Sequence, residues 1–158
     1  MADYALKQKQ AKEISAMLCA KENELTDAVA HLQRELAEKK TELAEKEQEL
    51  IRCKAEQIPE SEQIVCIFPE GIQGDSLRIL MNAVLEKKRK LCAVCSGNDA
   101  AGYRYVIGSR DVDVRNMAKE LNAAFEGRGG GRPEMVQGTV RGTEEELRNW
   151  ILKKAEEL

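Results

Sequence analysis

A run of glycines between two arginines holds the residues of this sequence that are best suited to bind a ligand. The run spans Gly127–Gly138 and reads Gly-Arg-Gly-Gly-Gly-Arg-Pro-Glu-Met-Val-Gln-Gly. Glycines leave main-chain N–H groups open to a ligand, and guanidinium groups form charge-assisted hydrogen bonds with anions. The spacing predicts contacts to an anion such as phosphate from Arg128, Gly129, Gly130, Gly131 and Arg132. The alternative interpretation is a flexible connector between a helix and a strand.

Residue types that support catalysis or metal binding are sparse elsewhere in the chain. The single histidine, His31, lies in a different segment from the pair Cys92 and Cys95. That pair falls in a strand-like run, where residues three apart point to opposite faces of a sheet. The glycine run is not followed by the Gly-Lys-Ser/Thr of a Walker loop, and it follows a predicted helix instead of a strand. We therefore expect no metal site and no catalytic residue in this chain.

The elements that must position the glycine run form a small α/β (α+β) globular domain over residues 62–158. Short apolar runs bounded by turn residues predict strands, and apolar residues at helical spacing behind a capping residue predict helices. The predicted order is β-α-β-β-α-β-α, with strands at Ile64–Phe68, Leu91–Ser96, Tyr103–Ile107 and Met135–Val140 and with helices that begin after Asp75, Asp113 and Thr143. A domain of about a hundred residues can bury a core of its own.

The glycine run follows the second of these helices. Gly127 stands where that helix should stop, and glycine is the usual residue type at such a position. The next three glycines have no such explanation, so we predict an ordered loop there, followed by an edge strand or a bulged segment that Gly138 interrupts. The last helix starts with a capping box, Thr143 and Glu146. Its predicted core residues are Leu147, Trp150, Ile151 and Leu158.

Residues 1–58 form a separate helical segment with the pattern of a coiled coil. The stretch from Ala5 to Gln57 contains neither proline nor glycine, although polar residues predict a break near residues 20–24. Two series of apolar residues recur every seven positions, one at Leu18, Leu25 and Leu32 and the other at Val29, Leu36, Leu43 and Leu50. From Leu25 to Leu36 the steps between the two series alternate between four and three, which is the spacing of a coiled-coil seam. A helix with so narrow an apolar stripe is unstable alone. We expect a partner helix, from the same chain or from a second copy in a homodimer.

Charge is spread too evenly for this chain to bind nucleic acid by bulk electrostatics. Residues 1–61 carry 10 Lys and Arg against 13 Asp and Glu, and residues 62–158 carry 15 of each. Recognition of phosphate must therefore come from a local patch. No apolar run approaches the ~18 residues that a membrane span needs, and the five cysteines lack the spacing of a disulfide framework. We expect a cytoplasmic protein that does not enter a membrane.

The glycine run, placed behind a β-α-β-β-α unit and a charged helical region, resembles the DHH-associated C-terminal domain. That domain ends alanyl-tRNA synthetases and the long freestanding alanyl-tRNA editing proteins. The resemblance covers residues 62–158, and Gly-Gly-Gly-Arg-Pro-Glu-Met at residues 129–135 is its most specific motif. The helical segment resembles the helical subdomain of the same proteins. We expect the chain to be the C-terminal part of such a protein. Residues 135–140 are closer to the freestanding editors, although both parents stay open.

The resemblance implies a role in holding tRNA, in particular tRNA(Ala), and in dimerisation. In this family the domain accompanies a zinc-dependent editing domain that hydrolyses tRNA(Ala) mischarged with serine or glycine. The zinc ligands of that editing domain have no counterpart in this chain. The predicted RNA contacts are Arg128, Gly129, Gly130, Gly131 and Arg132, with Lys88, Lys90, Arg104 and Arg141 as outer contacts. The helical seam is the predicted dimerisation surface.

Two other interpretations stay open at this point. In one, the chain is a purely structural coiled-coil dimerisation module, and the arginines of the glycine run are held in salt bridges. In the other, it is the phosphate-binding domain of a DHH-type phosphoesterase, because those enzymes carry the same triple glycine and use it to bind substrate phosphate. There the glycines are followed by histidine, whereas Arg132 follows them here.

Overall fold

A computed structural model describes all residues of the chain, Met1–Leu158. The helices are α1 (Ala2–Leu18), α2 (Leu25–Glu56), α3 (Ser76–Leu85), α4 (Arg115–Ala124) and α5 (Glu144–Glu156). The strands are β1 (Ile64–Ile67), β2 (Leu91–Asn98), β3 (Gly102–Ser109), β4 (Arg128–Arg132) and β5 (Met135–Val140). The chain divides into two compact units, Met1–Lys46 and Glu47–Leu158, and the division falls within α2. No helix is both long and apolar enough to cross a membrane.

The first unit contains α1, a short 3₁₀ turn at Glu22–Glu24 and the first part of α2. Helix α1 ends where Cys19 adopts a left-handed conformation with φ of 49°, and none of its residues is buried. Leu18 and Leu25 are half-buried. The remaining residues of the predicted seam are 38% to 68% exposed, namely Val29, Leu32, Leu36, Leu43 and Leu50. Val29, Leu32, Leu36 and Leu43 of the first unit are thus exposed.

The second unit is a five-stranded sheet with helices on both faces. The strand order is β1-β2-β3-β5-β4; β1 runs parallel to β2, and every other pairing is antiparallel. Helices α4 and α5 bury their apolar residues against one face, together with alternate residues of β2, β3 and β5. Helix α3 and the last turns of α2, through Ile51 and Ala55, pack on the other face. Successive side chains of a strand point to opposite faces, so neighbouring residues of β2 and β3 pack in opposite core clusters.

The glycine run forms a strand, which corrects the predicted loop. β4 pairs along its whole length with β5, and Arg132 lies opposite Met135 across a turn at Pro133 and Glu134. Consequently β5 lies inside the sheet between β3 and β4, and the predicted edge strand is wrong: β4 is the edge. Sequence periodicity missed β4 because glycines carry no apolar alternation.

The start of α5 confirms the predicted capping box. The Thr143 hydroxyl accepts a hydrogen bond from the Glu146 N–H at 3.3 Å, and the Thr143 N–H donates to the Glu146 carboxylate at 3.0 Å. Leu147 and Ile151 are fully buried, and Trp150 is half-buried against Phe125. The prediction that Leu158 is a core residue is wrong. Helix α5 ends at Glu156, and Leu158 is 42% exposed.

Arg89 fixes the segment that connects α2 to β1. It lies in a basic stretch after α3, yet it is buried, and its guanidinium group donates to the carbonyls of Ile58, Glu60 and Glu62. Three carbonyl acceptors replace the water that Nη1 and Nη2 lose on burial, whereas the buried Nε has no hydrogen-bond partner. The connection between helix and sheet is therefore ordered by one side chain.

The cysteines divide into buried and exposed groups. Cys92 packs with the core under α3, and Cys95 with the core under α4 and α5, so the two thiols face opposite sides of the sheet as predicted. Burial raises the pKa of the Cys66 thiol to about 12, and burial also holds the pKa of Cys92 and Cys95 well above the usual range of a thiol. Cys19 and Cys53 are exposed.

These environments predict a two-class labelling pattern. Because the thiolate is the reactive species, a thiol whose pKa lies well above neutral pH reacts slowly. A thiol-reactive chromogenic reagent at pH 7.5 should modify Cys19 and Cys53 of the native protein rapidly, and all five cysteines in concentrated guanidinium chloride. Rapid labelling of Cys92 or Cys95 in the native protein, located by mass spectrometry, would contradict the core described here.

Candidate nucleic-acid interface

Strand β4 is held against the sheet by the ring of Tyr105. This fully buried ring lies across two facing glycines: a Cβ added at Gly138 would be 2.8 Å from Tyr105 Cε1, and one added at Gly129 would be 2.8 Å from its hydroxyl. The Tyr105 hydroxyl donates to Asn122 Oδ1 at 3.0 Å, and Asn122 Nδ2 donates to the Gly129 carbonyl at 3.3 Å. The edge strand is thus tied to β3 and α4.

Two further glycines of the run are required by close packing. A Cβ at Gly127 would lie 2.6 Å from the Thr139 carbonyl, and one at Gly131 would lie 2.3 Å from the Met135 carbonyl. The predicted role of Gly127 as the residue that stops α4 needs correction. Glu126 takes the left-handed conformation after the helix, with φ of 47°, so Gly127 is explained by crowding.

Gly130 is different from its neighbours. A Cβ built at this position has no atom within 4 Å, and the residue does not have a positive φ. Neither packing nor backbone conformation requires a glycine here. Its missing side chain leaves open space on the face of the sheet that α3 packs against.

The register of the sheet places three rows of side chains on that face. Arg104 lies opposite Thr139, and Thr139 opposite Arg128; the next row on the same face joins Val106, Gln137 and Gly130; the third joins Gly108, Met135 and Arg132. Val106 belongs to the core under α3, and a Cβ at Gly108 would meet the Met81 sulfur of that helix, which identifies the face. Helix α3 packs on β2 and β3. The β5 and β4 parts of the rows are left exposed.

The arginines on this surface have no carboxylate partners. Arg78, Arg104, Arg128, Arg132 and Arg141 are exposed, and none of their side chains forms a hydrogen bond or ion pair within the chain. Arg110 makes one long hydrogen bond, 3.4 Å, to Asn82 Oδ1. Two carboxylates lie among them, Glu126 and Glu134. The patch is therefore locally cationic although residues 62–158 as a whole carry no net charge.

Two grooves cross the open face. The first, which we call the α3 groove, has a volume of about 520 Å³ and lies between α3 and the Gly130–Gln137 part of the sheet. The second, the hairpin groove, has a volume of about 840 Å³ and is lined by Arg104, Arg128, Thr139 and Arg141 among others.

The turn between β4 and β5 is fixed, because the Val114 N–H donates to the Pro133 carbonyl at 2.9 Å and the Ser109 N–H to the Glu134 carbonyl at 3.1 Å.

The structure brings most of the sequence-predicted contact residues together. The grooves are lined by Arg104, Arg128, Gly130, Gly131, Arg132 and Arg141. Gly129 turns toward Tyr105 on the other face. Lys88, with φ of 60°, and Lys90, whose N–H donates to the Gln63 carbonyl, lie beyond α3 and line neither groove.

Sequence reasoning missed four polar residues of the α3 groove, Arg78, Asn82, Arg110 and Gln137. Arg78 and Asn82 are one helical turn apart on α3, so their shared face was readable from the spacing. The sequence did not indicate which face of the sheet stays uncovered. No group of three or more His, Cys, Asp or Glu side chains converges as metal ligands would.

Comparison with known proteins identifies the family of the second unit. A family model described as the DHHA1 domain matches residues 61–158. The chain belongs to the DHHA1 domain family. It is also homologous to alanine–tRNA ligases: the enzyme of Francisella tularensis subsp. holarctica (strain OSU18) is 26% identical over 134 residues, which cover 79% of this chain and 16% of that protein. The chain thus spans about a sixth of the length of this relative.

A solved RecJ structure shares the fold of this DHHA1 chain. RecJ from Thermus thermophilus in complex with Mn²⁺ matches with a TM-score of 0.56 at 15% identity, over 87% of this chain and 20% of that one. The C-Ala domain of the Aquifex aeolicus alanyl-tRNA synthetase matches with a TM-score of 0.49 at 22% identity, over 60% of this chain and 91% of that one. The RecJ similarity establishes the fold only.

The glycine environments predict opposite effects of one substitution at adjacent positions. Gly129→Ala should destabilise the protein by about 1–3 kcal/mol, because the new methyl group meets Tyr105 and the β5 backbone. Gly130→Ala should leave stability within about 0.5 kcal/mol or raise it, since the methyl group meets nothing. Urea unfolding followed by circular dichroism measures both. Equal losses at the two positions would refute the arrangement of β4.

Proposed function

We propose that this chain is the tRNA-holding and dimerisation module at the C-terminus of an alanyl-tRNA synthetase or of an alanyl-tRNA editing hydrolase. The observation that carries the proposal is the set of unpaired arginines on the uncovered face of the sheet. Membership of the DHHA1 family and homology to alanine–tRNA ligases support tRNA as the ligand.

The chemistry of the surface suits an RNA backbone. Guanidinium groups bind phosphate oxygens in a bidentate manner, and Arg128 and Arg104 flank Thr139, whose hydroxyl can hydrogen-bond to phosphate or ribose. Contacts of this kind position an RNA without reading its sequence. Selection of tRNA(Ala), and hydrolysis of serine or glycine from a mischarged tRNA(Ala) with a zinc ion, belong in this proposal to other parts of the parent protein.

The exposed seam of α2 supports the dimerisation role. Leu36 and Leu43 are 54% and 68% exposed, and burying a leucine side chain stabilises an assembly by about 1.5–3 kcal/mol. A second copy of the helix offers a matching seam. Dimerisation also places two RNA-binding surfaces in one molecule.

The purely structural alternative is less well supported. It expects the glycine run to pack against the sheet or a partner chain with its arginines in salt bridges, and within the chain Arg128 and Arg132 form none. The phosphoesterase alternative has no support beyond the fold shared with RecJ. Preference for single-stranded DNA over tRNA in a direct competition would favour that second candidate.

Removal of two arginines tests the RNA role. The chain should bind tRNA with a Kd on the order of 10⁻⁴ to 10⁻⁶ M at physiological salt, and the Arg128→Ala/Arg132→Ala variant should bind about tenfold or more weakly. Two lost phosphate contacts should lower the slope of log K against log salt concentration by roughly 1.4–1.8. Fluorescence anisotropy with labelled tRNA measures both quantities.

The matched control removes the same charge from the opposite face. Lys119 on α4 and Lys153 on α5 are exposed and have no ion pair. The Lys119→Ala/Lys153→Ala variant should keep the affinity of the parent chain. Equal weakening in the two double variants would show that RNA responds to net charge only and would reject the open face as the binding surface.

The seam predicts a concentration-dependent dimer. Leu36→Asp/Leu43→Asp should dissociate it, because four carboxylates would enter the interface. Ala30→Asp/Ala44→Asp places the same charges on exposed positions beside the seam and should leave the dimer intact. Sedimentation velocity over a range of concentrations distinguishes the variants. A monomeric parent chain at all concentrations would remove dimerisation from the proposal.

A further inference from the structure

The two edges of the sheet differ in how they are protected. At the β1 edge, α5 packs on the strand, and its Arg148 donates from Nη1 to the Cys66 carbonyl at 2.9 Å. At the other edge, all five residues of β4 are exposed, and the strand pairs with β5 without a bulge. It contains neither proline nor lysine, the residue types that commonly protect an edge. Such an edge can pair with a further strand.

The main chain of β4 is partly free along this edge. In an antiparallel pair, the N–H and C=O groups of alternate residues point away from the partner strand. The Gly129 carbonyl points away from β5, since it accepts from Asn122 of α4 at 3.3 Å, and by alternation Gly131 points the same way. Neither main-chain group of Gly131 bonds to the backbone of a helix or a loop. The Gly129 N–H and both groups of Gly131 are therefore available to a partner.

Gly130 adds an independent observation. Neither packing nor backbone conformation requires a glycine at this position, because an added Cβ meets no atom within 4 Å and the residue has no positive φ. A glycine inside a strand often marks a place where a ligand or another backbone approaches closely. With glycine at 129–131, an added strand meets no side chain of β4 between Arg128 and Arg132.

The charges of β4 select the partner. Arg128 and Arg132 are exposed and lie on the same face of the strand. A second copy of β4, paired antiparallel about Gly130, would place Arg128 opposite Arg132 twice, and like charges directly opposite each other are destabilising. A strand with two carboxylates four residues apart places one beside each arginine instead. The edge therefore suits an acidic extended peptide better than another copy of this chain.

We propose that β4 binds an acidic peptide segment of a partner protein, which adds to the sheet as a sixth strand. Main-chain hydrogen bonds to Gly129 and Gly131 hold the segment, and side chains at alternate positions give the specificity. Two carboxylates, four residues apart, bind the guanidinium groups of Arg128 and Arg132. This inference goes beyond the proposed function, because the ligand is a protein segment and the main chain of the edge takes part.

An N-methylated peptide tests the main-chain pairing on the unaltered chain. The probe is a fluorescein-labelled peptide of seven residues, threonine and valine with glutamate at the second and sixth positions. N-methylation of its five interior residues removes their N–H groups and keeps both carboxylates. In fluorescence anisotropy, the methylated peptide should bind about tenfold or more weakly than the probe. Equal binding of the two peptides would show a purely electrostatic contact and would overturn strand addition.

Charge reversal tests the side-chain pairing. The parent chain should bind the glutamate peptide about tenfold or more tightly than a peptide with lysine at the same two positions. The Arg128→Glu/Arg132→Glu variant should reverse that preference. A folded variant that does not prefer the lysine peptide would overturn the proposal. If urea unfolding shows that the variant does not fold, the comparison with the methylated peptide decides alone.

The location of the contact separates this inference from the proposed function. When the ¹⁵N-labelled chain is titrated with the glutamate peptide, the largest amide shifts should occur at Gly129 and Gly131. Shifts centred on Arg104 and Thr139 would show that the peptide binds only as an anion on the open face, which would overturn the added strand. Absence of tRNA binding by the parent chain would overturn the proposed function, whereas peptide binding at the edge would still support this inference.

Discussion

The packing of Tyr105 against two facing glycines is the constraint on which the rest of the second unit depends. The ring occupies the volume that side chains at Gly129 and Gly138 would need, and its hydroxyl reaches Asn122 of α4. An aromatic ring over glycines compensates for the packing that a glycine strand lacks. The interaction therefore allows a strand with three consecutive glycines to form the edge of the sheet.

The position of that edge determines where the arginines lie. Because side chains alternate along a strand, fixing Gly129 toward Tyr105 directs Arg128, Gly130 and Arg132 to the opposite face. That face is open for a topological reason. A crossover between parallel strands brings a helix over the sheet, whereas the hairpin of β4 and β5 brings none. The same geometry that buries Tyr105 on one side exposes cationic groups on the other, where an anion would relieve their mutual repulsion.

The sequence predicted much of this fold but not the arrangement of its edge. The capping box at Thr143 and the faces of Cys92 and Cys95 follow local rules, and the structure agrees with them. Strand β4 was not predicted, because strand prediction depends on apolar alternation and this strand consists of glycines and arginines. The contact with Tyr105 that stabilises it is a tertiary interaction, which local sequence patterns do not show. Arg128 and Arg132 were recognised as candidate anion contacts by residue type, whereas Arg78 and Arg110 were missed because only the fold brings them to the α3 groove.

Mapping of the RNA contact on the folded chain tests the central claim most directly. In a titration of ¹⁵N-labelled protein with tRNA, we expect the largest amide shifts at Arg104, Gly130, Gln137 and Thr139 on the open face. Amides of α4 and α5 should move little. Shifts centred on α4 and α5, or no shifts at RNA concentrations far above about 10⁻⁴ M, would contradict the assignment of the open face as the RNA-binding surface.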